Sequence, residues 1–81
     1  VAVRTDSNTL DLRGMRVAEA ESVLEAAISQ AQGCLWVIHG HGTGKLRQGV
    51  QDYLSRHPQV QRFTAADQSE GGTGVTLVYL T

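Results

Sequence analysis

The chain has 81 residues, 7 of them basic and 8 acidic, with a formal net charge of −1, 41% hydrophobic and 19% charged residues. That length allows one domain with one modest core, and the composition excludes a disordered chain. The near balance of charge excludes a broadly basic surface for nucleic acid and leaves room only for a local one. No apolar run approaches the ~18 residues of a membrane span, and no basic-then-apolar leader opens the chain, so no membrane partner is expected. The chain opens on Val1 rather than Met, which reads as a piece of a longer protein. The lone Cys34 excludes an internal disulfide and fits a reducing compartment, so a cytoplasmic location is expected.

Residues 1–8 lack a sustained pattern and read as a linker or frayed end, with the domain proper at 9–81. In "TLDLR", Leu10 and Leu12 alternate with Asp11 and Arg13, the period of a strand with one buried face. From Val17 to Gln32 the apolar positions recur at three- and four-residue steps, an amphipathic helix with glutamates towards its start and Gly33 at its end. "CLWVI", Cys34 to Ile38, is a continuous apolar run that suits a central strand. Leu46, Val50, Tyr53 and Leu54 mark a second amphipathic helix that must stop near His57, because Pro58 cannot continue it. Gly49 lies inside that helix at a cost of roughly 1 kcal/mol relative to Ala, which close packing would justify. "VQRFTAA" and "GVTLVYL" are two more strands, with "DQSEGGTG" as a long, mobile hairpin loop between them. The order β-α-β-α-β-β predicts parallel first strands joined by right-handed crossovers. It makes the fold a two-layer α/β sandwich on a mixed four-stranded sheet.

The chemistry gathers at "IHGHGTGKLR". Gly40, Gly42 and Gly44 alternate through a turn that links a strand's carboxyl end to a helix's amino end. In α/β sheets ligands collect at such ends, and the first N–H groups of a helix have no internal partner. Gly40, Gly42, Thr43 and Gly44 can therefore cradle an anion. Lys45 and Arg47 stand in the first helical turn, where cations oppose the helix dipole. Either a bound phosphate offsets that conflict or the two side chains are simply solvated. The spacing fits neither a Walker A loop nor a dinucleotide fingerprint, because Gly40 and Gly44 have three residues between them and Leu46 follows Lys45.

If the first two strands are parallel neighbours, Asp11, Arg13 and His39 share one sheet edge. A carboxylate, a guanidinium that can hold phosphate bidentately and an imidazole that can move a proton suit phosphodiester chemistry. The plainer alternative pairs Asp11 with Arg13 and leaves His39 hydrogen-bonded in a turn. His39 and His41 are a weak metal pair, and Asp11 alone could recruit a hydrated Mg²⁺ or Mn²⁺ together with substrate phosphates.

"LDLRG", an acidic amphipathic helix and then "IHGHGTGKLR" together resemble the Smr (small MutS-related) domain over about Thr9 to Leu80. The resemblance implies a fold like the carboxyl-terminal domain of translation initiation factor three, with strand order 1-2-4-3. It also implies nucleic-acid binding and nicking endonuclease activity, on branched or duplex DNA or on RNA. It further implies a larger parent with a separate ATPase region, the only place where ATP would bind and a route to oligomers. Parents of this kind are linked to suppression of recombination, DNA repair and rescue of collided ribosomes. Residue by residue, Asp11 and Arg13 fall on the first motif. His39, Gly40, Gly42, Thr43, Gly44 and Arg47 fall on the second. Arg16, His41 and Lys45 are added for their local chemistry. The family's first motif commonly ends in histidine where Arg13 stands. Arginine cannot act as a base at neutral pH and fits clamping or charge stabilisation instead. Two functions follow from the sequence: a nuclease domain in which Asp11, Arg13 and His39 act on a phosphodiester, or a non-catalytic module that docks its parent on nucleic acid or the ribosome.

Overall fold

Leu10 and Leu12 point the same way from the first strand, and that alternation decides which sheet face the helices cover. The computed structural model describes residues 2–81. Strand β1 is Thr9–Asp11, helix α1 Val17–Gln30, β2 Cys34–Ile38, α2 Lys45–Arg56, β3 Val60–Ala65 and β4 Val75–Leu80. The sheet order is β1-β2-β4-β3. β1 and β2 are parallel, and β4 runs antiparallel to both β2 and β3. This is the expected two-layer α/β sandwich with strand order 1-2-4-3.

α1 starts where the Arg16 N–H donates to the Glu19 carboxylate, 3.3 Å away, satisfying a donor outside the first turn. It ends at Gln30, two residues before the expected stop, and Gly33 takes a left-handed φ of 82° that redirects the chain into β2. Leu24 and Ile28 of α1, Val50 and Leu54 of α2, and Leu12, Leu35, Val37 and Val78 of the sheet form one core cluster. Each such side chain contributes roughly 1.5–3 kcal/mol by leaving water. A Cβ on Gly49 would lie 2.7 Å from Val17 Cγ1 and 2.9 Å from Cγ2, so the glycine lets the two helices cross closely.

The second face carries Trp36, Val75, Leu77 and Ala66. The amino-terminal segment reaches this face through Ala2 and Arg4. Ala2 packs on this cluster, and the Arg4 guanidinium sits 5.7 Å from the Trp36 ring centre. Arg4 also donates to the Glu70 carbonyl at 3.2 Å. The segment expected to be a linker or frayed end thus includes a 3-10 turn at Asp6–Asn8 and these contacts. The 67–74 connection, expected as a mobile loop, is instead two 3-10 turns, Gln68–Glu70 and Gly72–Gly74, with its own backbone hydrogen bonds. No described helix is long and apolar enough to cross a membrane.

Candidate functional site

The carboxyl ends of β1 and β2 meet the start of β4 at one edge of the sheet. The Leu12 N–H donates to the Ile38 carbonyl at 2.7 Å, extending the β1–β2 ladder past Asp11. The Gly74 carbonyl then accepts two N–H groups, from His39 at 3.1 Å and Gly40 at 3.0 Å. A single acceptor on the 67–74 connection therefore pins the base of the glycine turn. From there the backbone is left-handed at Gly40 (φ 79°) and Gly44 (φ 85°), with φ 31° at Gly42. A side chain would be strained at each. Nothing lies within 4 Å of a Cβ built at Gly42 or Gly44, so the turn faces open space. The N–H groups of His41, Gly42, Thr43 and Gly44 make no backbone hydrogen bond among the described residues. The Lys45 N–H reaches Thr43 Oγ1 at 3.4 Å.

Strand alternation splits the predicted site. Asp11 is registered with Ile38, and Ile38 with Val75, both on the second face. His39 follows Ile38 and turns to the helix face. The glycine turn consequently divides two hollows. One, of about 200 Å³, lies on the helix side and is lined by Gly14, Met15, His39, residues 40–44, Leu46 and Arg47. The other, of about 190 Å³, is lined by Arg13, Ile38, Gly40, His41, Gly71, Gly74 and Val75. Asp11, Arg13 and His39 share an edge, as expected, but not a hollow.

Asp11 and Arg13 form a bidentate pair, Nε to Oδ1 at 3.0 Å and Nη2 to Oδ2 at 2.7 Å. The Arg13 N–H also donates to Oδ1 at 3.1 Å. These bonds hold the Asp11 carboxyl down to about 2, the side-chain contact with Arg13 being the larger cause. The Arg13 stem rests on Gly40, where a Cβ would come within 3.4 Å of its Cγ. His39 is only 5% exposed. Its Nδ1 lies 3.0 Å from the Gly40 carbonyl and its Nε2 2.7 Å from the Thr76 hydroxyl. Burial pushes its pKa below the usual histidine value, and the charges of Arg47 and His41 push the same way. His41 is exposed, with its ring over Gly74, where a Cβ would lie 2.7 Å from Cε1. Lys45 and Arg47 are exposed and make no ion pair among the described residues. α2 has no acidic residue in its first turn to compensate them. Arg16 is exposed at the start of α1 and lines neither hollow.

The residues do not fit a resident metal. No group of three His, Cys, Asp or Glu side chains among the described residues could hold one. Both Asp11 oxygens are already taken by Arg13. Two contributors escaped the sequence reasoning: the Gly71–Gly74 run and Thr76. The signals were present. "GGTG" repeats the Gly-Thr-Gly of the turn, and Thr76 is a polar residue in an otherwise apolar strand.

A four-stranded 1-2-4-3 sheet under two helices, with a glycine turn between β2 and α2 flanked by Arg13, Lys45 and Arg47, defines a small two-layer α/β domain with a cationic turn at one sheet edge. The chain belongs to the Smr domain family, whose model matches residues 10–81. It is 61% identical over 82 residues to endonuclease MutS2 of Synechocystis sp., covering 99% of this chain. It is 49% identical over 75 residues to endonuclease MutS2 of Bacillus thuringiensis, covering 88%. The chain spans only 10% of the length of each of these relatives. Among solved structures it superposes on the Smr domain of Thermus thermophilus MutS2 with a TM-score of 0.89 and 41% identity, covering 91% of this chain and 98% of that one. It superposes on YdaL, a stand-alone small MutS-related protein of Escherichia coli, with a TM-score of 0.79 and 26% identity, covering 94% and 66%.

Proposed function

We propose that this domain binds nucleic-acid phosphates at the glycine turn and nicks the strand it holds, as part of a larger MutS-type ATPase. The carrying observation is the set of exposed cations Arg13, Lys45 and Arg47 around an open turn in which the N–H groups of residues 41–44 make no backbone hydrogen bond among the described residues. The names of the MutS2 relatives support the nuclease class. Arg13, oriented by Asp11, holds one phosphate from the second-face hollow, leaving Nη1 free to donate. Arg47, Lys45 and the amides of residues 41–44 hold the next from the helix side. His41, exposed beside Arg13, is the imidazole able to reach a substrate proton. His39, with both ring nitrogens engaged, holds the turn in place. That reassigns the proton transfer expected of His39. Any Mg²⁺ or Mn²⁺ arrives with the substrate phosphates. The free Cys34 suits a cytoplasmic parent acting in recombination control, DNA repair or ribosome rescue.

A second reading has its own observation. Asp11 is neutralised by Arg13 and His39 is buried, so the carboxylate and imidazole of the first motifs are both occupied. A module that only docks its parent on nucleic acid or the ribosome needs the cations and the turn but no free base. The deciding experiment incubates the isolated domain with supercoiled plasmid and with matched RNA, with and without chelator. Nicking that disappears in His41→Ala supports the enzyme. Binding with no nicking under any condition establishes the docking module in its place.

A further inference from the structure

We propose that Thr76 is a positioning residue of the glycine turn, orienting the His39 imidazole by donating to its Nε2 and thereby setting the geometry that residues 40–44 present to a ligand. The assignment rests on the phosphate-binding role of that turn.

Thr76 is fully buried in β4, paired with Val37 on one side and Ala65 on the other. A buried hydroxyl needs a partner, and its partner is His39 Nε2 at 2.7 Å. The donors can be assigned. The Gly40 carbonyl, 3.0 Å from Nδ1, can only accept, so Nδ1 carries the hydrogen. In a neutral ring Nε2 then carries the lone pair, and the Thr76 hydroxyl donates to it.

Three hydrogen bonds from two residues of one short segment thus hold His39 and Gly40. Two end on the Gly74 carbonyl, and the third begins at Thr76. The central strand β4 passes its rigidity directly to the start of the turn. Beyond Gly40 the turn has few other ties: the N–H groups of residues 41–44 make no backbone hydrogen bond among the described residues. A turn held at its root loses less freedom when a phosphate binds.

The test reads the imidazole nitrogens of His39 by long-range ¹H–¹⁵N spectra of the free domain. It also reads affinity for a labelled DNA duplex and the matched RNA strand. The wild-type domain should show one neutral form, protonated on Nδ1. Thr76→Val keeps the β-branched shape and removes only the donor. It should shift the His39 Nε2 resonance, which loses its donor, and give an affinity roughly 3- to 10-fold weaker, as for one lost hydrogen bond. The salt dependence should stay unchanged because no charge is removed. Thr76→Ser should restore both signals. A wild-type ring protonated on Nε2 overturns the assignment. So does Thr76→Val with unaltered signals and affinity, or a loss that Thr76→Ser does not repair. If Thr76→Val does not fold, the wild-type tautomer and Thr76→Ser decide. A wild-type domain that binds neither nucleic acid refutes the phosphate-binding role instead. The ring spectra need no ligand and still report on the Thr76 contact.

Discussion

Asp11→Asn removes one charge from a pair that lies at the edge of the phosphate site without touching the core. Asp11 is exposed, and its carboxylate meets Arg13 through two side-chain bonds of 3.0 and 2.7 Å. While that pair is intact, the Arg13 charge is largely cancelled, and Lys45 and Arg47 supply the net positive field. With ~2 effective phosphate contacts, log affinity should fall with log salt at a slope of about −1.8, a loss of roughly 12-fold between 50 and 200 mM salt. In Asp11→Asn the third cation counts in full. The slope steepens to about −2.7 and the loss grows to roughly 42-fold. The variant should therefore bind more tightly at low salt, and this advantage should shrink as salt rises. Its melting temperature should match the wild type, because exposed ion pairs contribute little to stability. Fluorescence anisotropy of a labelled duplex across a salt series measures the slopes, and plasmid nicking runs in parallel. In the nuclease, Arg13 without its orienting partner loses its fixed direction, so nicking should fall at least tenfold while binding improves. Binding that weakens in Asp11→Asn, or a slope that does not steepen, refutes the assignment of Arg13 as a phosphate contact held back by Asp11.

Gly44→Ala places a methyl group in open space on a left-handed residue, so it should cost about 1 kcal/mol of stability and much more of the binding, separable by thermal melting and anisotropy. Folding stability should be full above the ordinary histidine value of 6.5 and decline as pH falls below it. Burial lowers the folded-state pKa of His39, so the unfolded chain takes the proton first; an NMR titration in which His39 is already charged at pH 6.5 would contradict this. Gly49→Ala should gain about 1 kcal/mol in helix propensity yet be destabilising overall, because its methyl group would meet Val17 at 2.7 Å and overpacking costs roughly 1–3 kcal/mol. A higher denaturation midpoint in Gly49→Ala would show that the helices can part freely.

Much of this protein is legible in one dimension because its signals are local. The two-residue alternation of Leu10 and Leu12, the three- and four-residue steps from Val17 onward and the stop at Pro58 are set by backbone geometry within a few residues. They returned the elements to within about two positions at their ends. The turn was legible for the same reason: three glycines and two cations in eight residues state a backbone need and a charge conflict without reference to the rest of the chain. Helix ends were less so, since α1 stops at Gln30 rather than Gln32 where the chain must turn to enter β2.

Which residues face each other is a different matter, because it depends on register between strands far apart in sequence. Asp11, Arg13 and His39 come to one edge, as the order of elements requires. Pairing Asp11 with Ile38 then puts His39 on the opposite face, since successive strand residues point to opposite sides. The carbonyl that seats the turn belongs to Gly74, and the hydroxyl that holds His39 belongs to Thr76, 37 positions away. The "GGTG" run and the polar Thr76 in an apolar strand mark both residues, but not the partner each one holds. The elements, the cationic glycine turn and the family could all be read from local residue patterns. The register of β4 against β2 emerged from the fold alone, and with it that a buried imidazole anchors the turn while an exposed one, His41, is left beside Arg13.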